Sequence, residues 1–463
     1  MKRQCFLLGL IFSLFFFNSC SDIEKSSSSL VLTLPGSARA ALSSGDIEKF
    51  EISLLGEGTG YSEKKTAKPG DSVEFKSLEE DVYDLTVSGF FGETKVAYGE
   101  AQTTVKDGET SEVSVKLKAL FIRYYVSSSG DDESGDGTEE KPFASLLKAT
   151  EFISDAELYY EIHISGELSG TQSISGEISA KSITLEGNDN STCKLNGNEA
   201  GTTLTINTSV PVTIKNLTIT GGKNESGNGG GISIGESATV TLADGAVVAG
   251  NSAKLGGGVY NEGTLFMYDS AAIGDASATE AATSEEYSNS ATSGGAGLYN
   301  AENAKAYLGY SDENTVKTLT GGSCYNYGCD GAGIYNKGTV KMASGNVSYN
   351  GHSGFGVGIL NDESGEFELS GGKVSHNIYY GTNGYGGGCR NQATFTMTGG
   401  EISYNSATKG AGVNARMGTF TMTGGSIKNN EGTSGKSIYY EEGTVSVRGT
   451  DTGTTDDDII LVN

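Results

Sequence analysis

One pattern, written twice, constrains this chain more than any other feature. Residues 331–350 read GAGIYNKGTVKMASGNVSYN and residues 386–405 read GGGCRNQATFTMTGGEISYN. Glycine stands where a helix would fail, and the apolar residues are too few for a self-sufficient core. Anchored on its glycine, the pattern returns at Gly231, Gly258, Gly297, Gly333, Gly358, Gly388 and Gly412, in steps of 24 to 39 residues. TFTMTGG at Thr394 recurs at Thr419, 25 residues on. Periods of this size belong to solenoids, in which no repeat folds alone. The shortest steps approximate one turn of a parallel β-helix, and the longer ones require inserted loops such as AATSEEYSNSATSGG.

Stacking completes what a single repeat lacks. A rung of three short strands pairs with its copies about 4.8 Å above and below, which closes the backbone hydrogen bonds and buries an inner face. Alternation points Ile334, Val340 and Met342 inward and Lys341 outward. Asn261, Asn300, Asn336, Asn361 and Asn391 each stand three residues after the anchor glycine, so their amides are expected to bond along the stack as a structural ladder. Asn350, Asn377, Asn405 and Asn430 form a second series. Neither ladder requires a ligand.

Tyr260, Tyr299 and Tyr335 share the position before the ladder asparagine, where alternation predicts an outward side chain. Stacked rungs would align them as a stripe, continued by Leu360 and Arg390. Tyr349, His376 and Tyr404 form a second candidate stripe. Aromatic surfaces suit sugar rings or protein partners. The plainer alternative is tyrosine favouring a half-exposed strand and stacking on itself.

The motifs GGAGL, GAGI and GAGV, with VSYN, VSHN, ISYN and IKNN, resemble the GGAI and FxxN repeats of chlamydial-type polymorphic outer-membrane proteins over about residues 220–440. Aliphatic residues replace the phenylalanine here. The resemblance implies a displayed β-helix with an adhesive role. Nothing after Tyr440 has the length of a translocating barrel, so another anchor is expected. Upstream, FIRYYV, the acidic loop DDESGDG and PFASLLKATEFI resemble the opening segment of right-handed parallel β-helices of the pectate-lyase-like group. There Phe143, Leu146, Leu147, Ala149, Thr150 and Ile153 fall near helical spacing, which implies a capping helix. The loop lacks the spacing of an EF-hand and reads as solvated. Residues 31–118 hold alternating strands separated by GEGTG, KPGD and KDGE, and resemble a transthyretin-like or immunoglobulin-like sandwich acting as a spacer.

The first twenty residues, MKRQCFLLGLIFSLFFFNSC, join a basic start to an apolar stretch too short to span a bilayer comfortably. Ending at Cys20, they resemble a bacterial lipoprotein signal. The resemblance implies lipidation of Cys20 after cleavage, residues 21–30 as a polar tether, and export to an outer membrane or cell surface. The expected domains are the signal 1–20, the tether 21–30, the sandwich 31–118, the capped opening 119–160 and the β-helix 161–463.

With 58 acidic against 32 basic residues the net charge is -26. A phosphate-binding face needs the opposite sign, so nucleic acid is not an expected partner. Three histidines without a CxxC motif give no metal site, and no cofactor is expected. Cys324 and Cys329, in SCYNYGCD, could close a loop disulfide in an oxidising compartment. Lyases and hydrolases of pectate-lyase-like shape need an arginine beside calcium-holding carboxylates, or clustered aspartates. Here Arg390, Arg416 and Arg448 are the only arginines in the helix, and its acids are scattered. The favoured expectation is therefore a non-catalytic adhesin or host/glycan-interaction protein, with membrane contact through lipid. A polysaccharide lyase or glycoside hydrolase and a purely structural envelope protein are the alternatives.

Overall fold

The computed structural model describes residues 28–34, 47–91, 94–284, 288–447 and 459–461. Cys20 and the signal lie outside them. The chain divides into two units, Met1–Ala119 and Leu120–Asn463.

In the first unit, a three-stranded sheet runs in the order Ser72–Leu78, Ser28–Thr33, Thr110–Val113. A five-stranded sheet is built around Lys49–Gly56, Asp81–Phe91 and Thr94–Val105. Alternation works as written in Lys49–Gly56, where Phe50, Ile52 and Leu54 are buried beside half-exposed or exposed neighbours. The strand Ser28–Thr33 buries Leu30, so the sheet takes in the last residues of the expected tether.

The second unit is a right-handed parallel β-helix. Its first rung opens with Phe121–Ser127, which pairs in parallel with Tyr159–Ser165. Between them lies the expected cap, Leu146–Thr150, with Ser145 at its N-terminus accepting from the Lys148 amide. Phe143, Leu146, Ala149 and Ile153 are buried, whereas Leu147 is 65% exposed. The acidic loop satisfies its own backbone: Asp132 accepts from the amides of Ala144 and Ser145, and Asp131 from those of Glu133 and Ser134.

Six successive rungs hold four short strands rather than three. In one rung these are Ile334–Asn336, Thr339–Met342, Asn346–Ser348 and Gly351–His352. The fourth is only two residues long and glycine-rich, so apolar alternation could not reveal it. Corresponding strands stay in register: Ile232, Val259, Leu298, Ile334, Ile359, Cys389, Val413 and Ile438 form one inward column, each almost fully buried. Cys389 thus fills an aliphatic position as a free thiol. The two longest steps carry loops that leave the strands undisturbed, one between Ala272–Gly274 and Ser290–Gly294 and one between Lys305–Leu308 and Gly322–Cys324.

Candidate functional site

The polar ladders come first, because they fix the corners that aim everything else. Side-chain amides join Asn261 to Asn300 at 2.8 Å, Asn300 to Asn336 at 2.9 Å, Asn336 to Asn361 at 2.9 Å and Asn361 to Asn391 at 2.8 Å. An amide both donates and accepts, so one residue type can repeat without leaving an orphan inside the stack. The second series is longer than the sequence pattern gave: Asn251, Asn289 and Asn326 precede Asn350 in it. Asn289 follows an inserted loop, and Asn326 has Ser323 where Val or Ile stands elsewhere, which hid both.

From Asn326 onward the residue before each asparagine sits at positive φ: Tyr325, Tyr349, His376, Tyr404 and Asn429 lie between 55° and 58°. That left-handed turn throws the side chains outward. Tyr349 and His376 stack at 4.8 Å and His376 and Tyr404 at 5.1 Å. Tyr404 is 51% exposed, and its hydroxyl accepts from the Asn429 amide.

Tyr260, Tyr299 and Tyr335 also stack, at 5.4 Å and 4.9 Å. The ring faces are therefore spent on one another, and Tyr299 is only 8% exposed. The Tyr335 hydroxyl donates to Asp362 at 2.8 Å, Lys337 pairs with the same carboxylate at 3.1 Å, and the Tyr260 hydroxyl donates to Glu262. Burial pushes the Tyr260 phenol up to about 12, with the Glu262 charge adding to it, and lifts that of Tyr335 as well. A sugar stacks on a free ring face, and these rings offer mainly edges.

The stack breaks further along the same column. In register, Tyr335 is followed by Leu360, Arg390, Asn414 and Tyr439. Beside this column runs a second, at the residue preceding the first glycine of each repeat: Asp330, Phe355, Tyr385, Lys409 and Ser434. It is linked rung to rung, because Gly331 donates to the Phe355 carbonyl, Gly356 to that of Tyr385, Gly386 to that of Lys409 and Gly410 to that of Ser434. These glycines have φ of 58° to 73°, and a Cβ on Gly386 would lie 2.8 Å from the Arg390 nitrogen. The turn therefore folds one column against the other, which only glycine permits.

Arg390 lies where the columns meet. It is 3% exposed, with its guanidinium 4.1 Å from the centre of the Phe355 ring and 5.4 Å from that of Tyr385. Lys409 reaches the Tyr385 and Tyr439 rings, each at 5.2 Å. Phe355 and Tyr385 are tilted at 59°, and Tyr385 and Tyr439 meet at 65°. Among the described residues, Nε and Nη1 of Arg390 and Oδ1 of Asn414 have no hydrogen-bond partner. Burial lowers the Arg390 pKa, and the neighbouring Arg416 charge lowers it further. Repeat spacing placed Arg390 only at the end of a tyrosine stripe; Phe355, Tyr385, Lys409 and Tyr439 were missed. Their signal was faint: three precede the first glycine of a repeat, a position held elsewhere by Leu255, Gly294 and Asp330.

Two further features bear on chemistry. A cavity of about 570 Å³ is lined by Glu199, Lys223, Glu225, Asn251, Ser252 and Ser290. Lys223 pairs with Glu199 at 3.4 Å and Glu225 at 3.6 Å, and both carboxylates are more than 70% exposed. Among the described residues, no three His, Cys, Asp or Glu side chains converge as metal ligands.

The expected Cys324–Cys329 bridge is corrected: both thiols are free. Cys324 turns to Ser348 Oγ at 3.4 Å in the next rung, while Cys329 packs against the cluster of Ala291, Ala296, Ala332 and Val357. No described helix is long and apolar enough to cross a membrane.

No family model matches the chain, and no curated protein does. Among solved structures, it is similar to the GH136 lacto-N-biosidase from Eubacterium ramulus, at 12% identity, with 70% of this chain and 68% of that one covered and a TM-score of 0.22. A likeness at that score carries no argument about activity.

Proposed function

We propose that this chain acts by binding, as a non-catalytic, exported protein held to a membrane by lipid on Cys20 and serving as an adhesin or glycan-interaction surface. The observation that carries the reading is the pair of Phe355 and Tyr385, tilted at 59° over the buried Arg390 guanidinium, two of whose nitrogens have no hydrogen-bond partner. The exposed Phe355 ring gives a ligand apolar area, and an unpaired donor gives it a polar contact to complete. The long ladders support the same reading, since they supply a rigid flank on which binding need not order the backbone.

The test is a screen of the purified protein against glycans and matrix proteins, with a parallel assay for released reducing or unsaturated sugar ends. Binding without release is the expected outcome. Release would favour the second reading, a glycoside hydrolase or lyase, which draws on the Glu199–Lys223–Glu225 cavity. Neither binding nor release would leave a structural envelope protein. For the anchor, Cys20→Ala is expected to move the protein from the membrane fraction to the soluble one.

A further inference from the structure

Arg390 is an expensive residue to keep. Two of its buried nitrogens have no hydrogen-bond partner, and an apolar side chain of similar volume would fill the same space without that desolvation cost. Its neighbours do not relieve it. Asp330 and Glu441 face it electrostatically, but Asp330 Oδ1 accepts from the Phe355 amide at 2.7 Å, and Glu441 pairs with Arg416 at 3.5 Å. Arg416 and Lys409 add positive charge beside it, on a chain of net charge -26.

One rung away, Asn414 Oδ1 is also buried and unpaired. Two orphan donors beside one orphan acceptor describe the complement of an anionic group carrying a hydroxyl. Phe355 covers the guanidinium from outside. It is 39% exposed, lies between Gly354 and Gly356, and holds its place by the cation–π contact rather than by burial in the core.

We infer that Arg390, Asn414 and the rings of Phe355 and Tyr385 form a recognition site for an acidic saccharide unit, covered by the Phe355 ring until the ligand arrives. The guanidinium fork takes the carboxylate or sulfate, Asn414 Oδ1 accepts from a sugar hydroxyl, and the Phe355 ring, displaced from the guanidinium, receives the sugar C–H surface. Lys409 lies at the rim and contributes attraction across solvent. This rests on the binding function proposed above and adds the class of ligand.

The test titrates three probes against the full chain in 150 mM NaCl: hyaluronan oligosaccharides, which carry carboxylate alone, chondroitin sulfate oligosaccharides, which carry sulfate as well, and neutral dextran. At that salt, exposed charges beyond about 8 Å are screened, so the repulsion of the acidic surface does not mask a direct contact. At least one acidic probe is expected to bind ten-fold more tightly than dextran, and the better of the two identifies the anion. Arg390→Met is expected to lose at least ten-fold in affinity for that probe while unfolding at a higher temperature than the parent without ligand. Should that variant not fold, Phe355→Ala serves instead: it removes an exposed ring and is expected to speed association with the acidic probe several-fold. Equal affinity for acidic and neutral probes overturns the inference, as does an Arg390→Met protein that binds as the parent does. In those two cases the broader binding function stands, provided that a glycan or matrix protein binds elsewhere. If no glycan and no matrix protein binds at all, both fall.

Discussion

Asn336 donates its side-chain amide to the side-chain oxygen of Asn361 across 2.9 Å, with both residues fully buried. Asn361 in turn donates to Asn391 and to the Thr394 carbonyl. Replacing Asn361 with alanine removes one link but strands groups on both sides of it. The expected loss is about 2–3 kcal/mol, at the upper end for a buried hydrogen-bonding residue. Urea unfolding would measure it, and a loss below about 0.5 kcal/mol would mean that the ladder is not a continuous buried network. Asn361→Ala and Asn391→Ala are expected to be non-additive, because they share a bond.

Inside the helix, Phe367 and Phe395 stack at 4.9 Å and 10°, and Phe420 follows at 5.5 Å. All three are fully buried in one inward column. Phe395→Ala is expected to cost about 3–5 kcal/mol, since neighbouring rungs are fixed by their own hydrogen bonds and cannot collapse into the gap. Phe395→Leu should cost much less. A comparable small cost for both would indicate a core that relaxes around the cavity.

The architecture was legible because stacking repeats its demands. An inward aliphatic residue, a ladder asparagine and a corner glycine recur at one spacing, so Ile334, Asn336 and Gly331 can be placed from their copies. The fourth strand, Gly351–His352, was not legible, since two residues cannot display alternation. The candidate site was only half legible for the opposite reason. A site differs from the repeat, and Phe355, Tyr385 and Lys409 occupy a position where other rungs hold leucine, glycine or aspartate. Periodicity finds what is shared and passes over what is singular. It also aligned Tyr260, Tyr299 and Tyr335 correctly, and their stacking on one another is the plainer of the two alternatives that the pattern allowed.

His376 sits between Tyr349 and Tyr404 with its Nδ1 buried and unpaired. Burial lowers its pKa from the ordinary 6.5, and the nearby Lys373 charge acts in the same direction. The unfolded chain therefore takes up the proton first as the pH falls. Stability is full above about pH 6.5, declines as the pH drops through the ordinary histidine value, and levels off below His376's own lower value. Thermal unfolding of the parent and His376→Phe between pH 7.5 and 5 should diverge over that window. Parallel curves would show that the imidazole titrates as it does in water.

The free thiols make the last expectation. Burial raises the pKa of Cys324, and burial with the Asp330 charge pushes Cys329 up to about 12. The thiolate is the reactive form, so both should resist alkylation in the folded protein at pH 8. Denaturation without reductant should then expose Cys193, Cys324, Cys329 and Cys389 together, each taking one label. A protein isolated from an oxidising compartment that labels only at Cys193 and Cys389 would carry the bridge after all. Its formation would require Cys324 to leave its contact with Ser348, so such a protein should also be less stable than its reduced form.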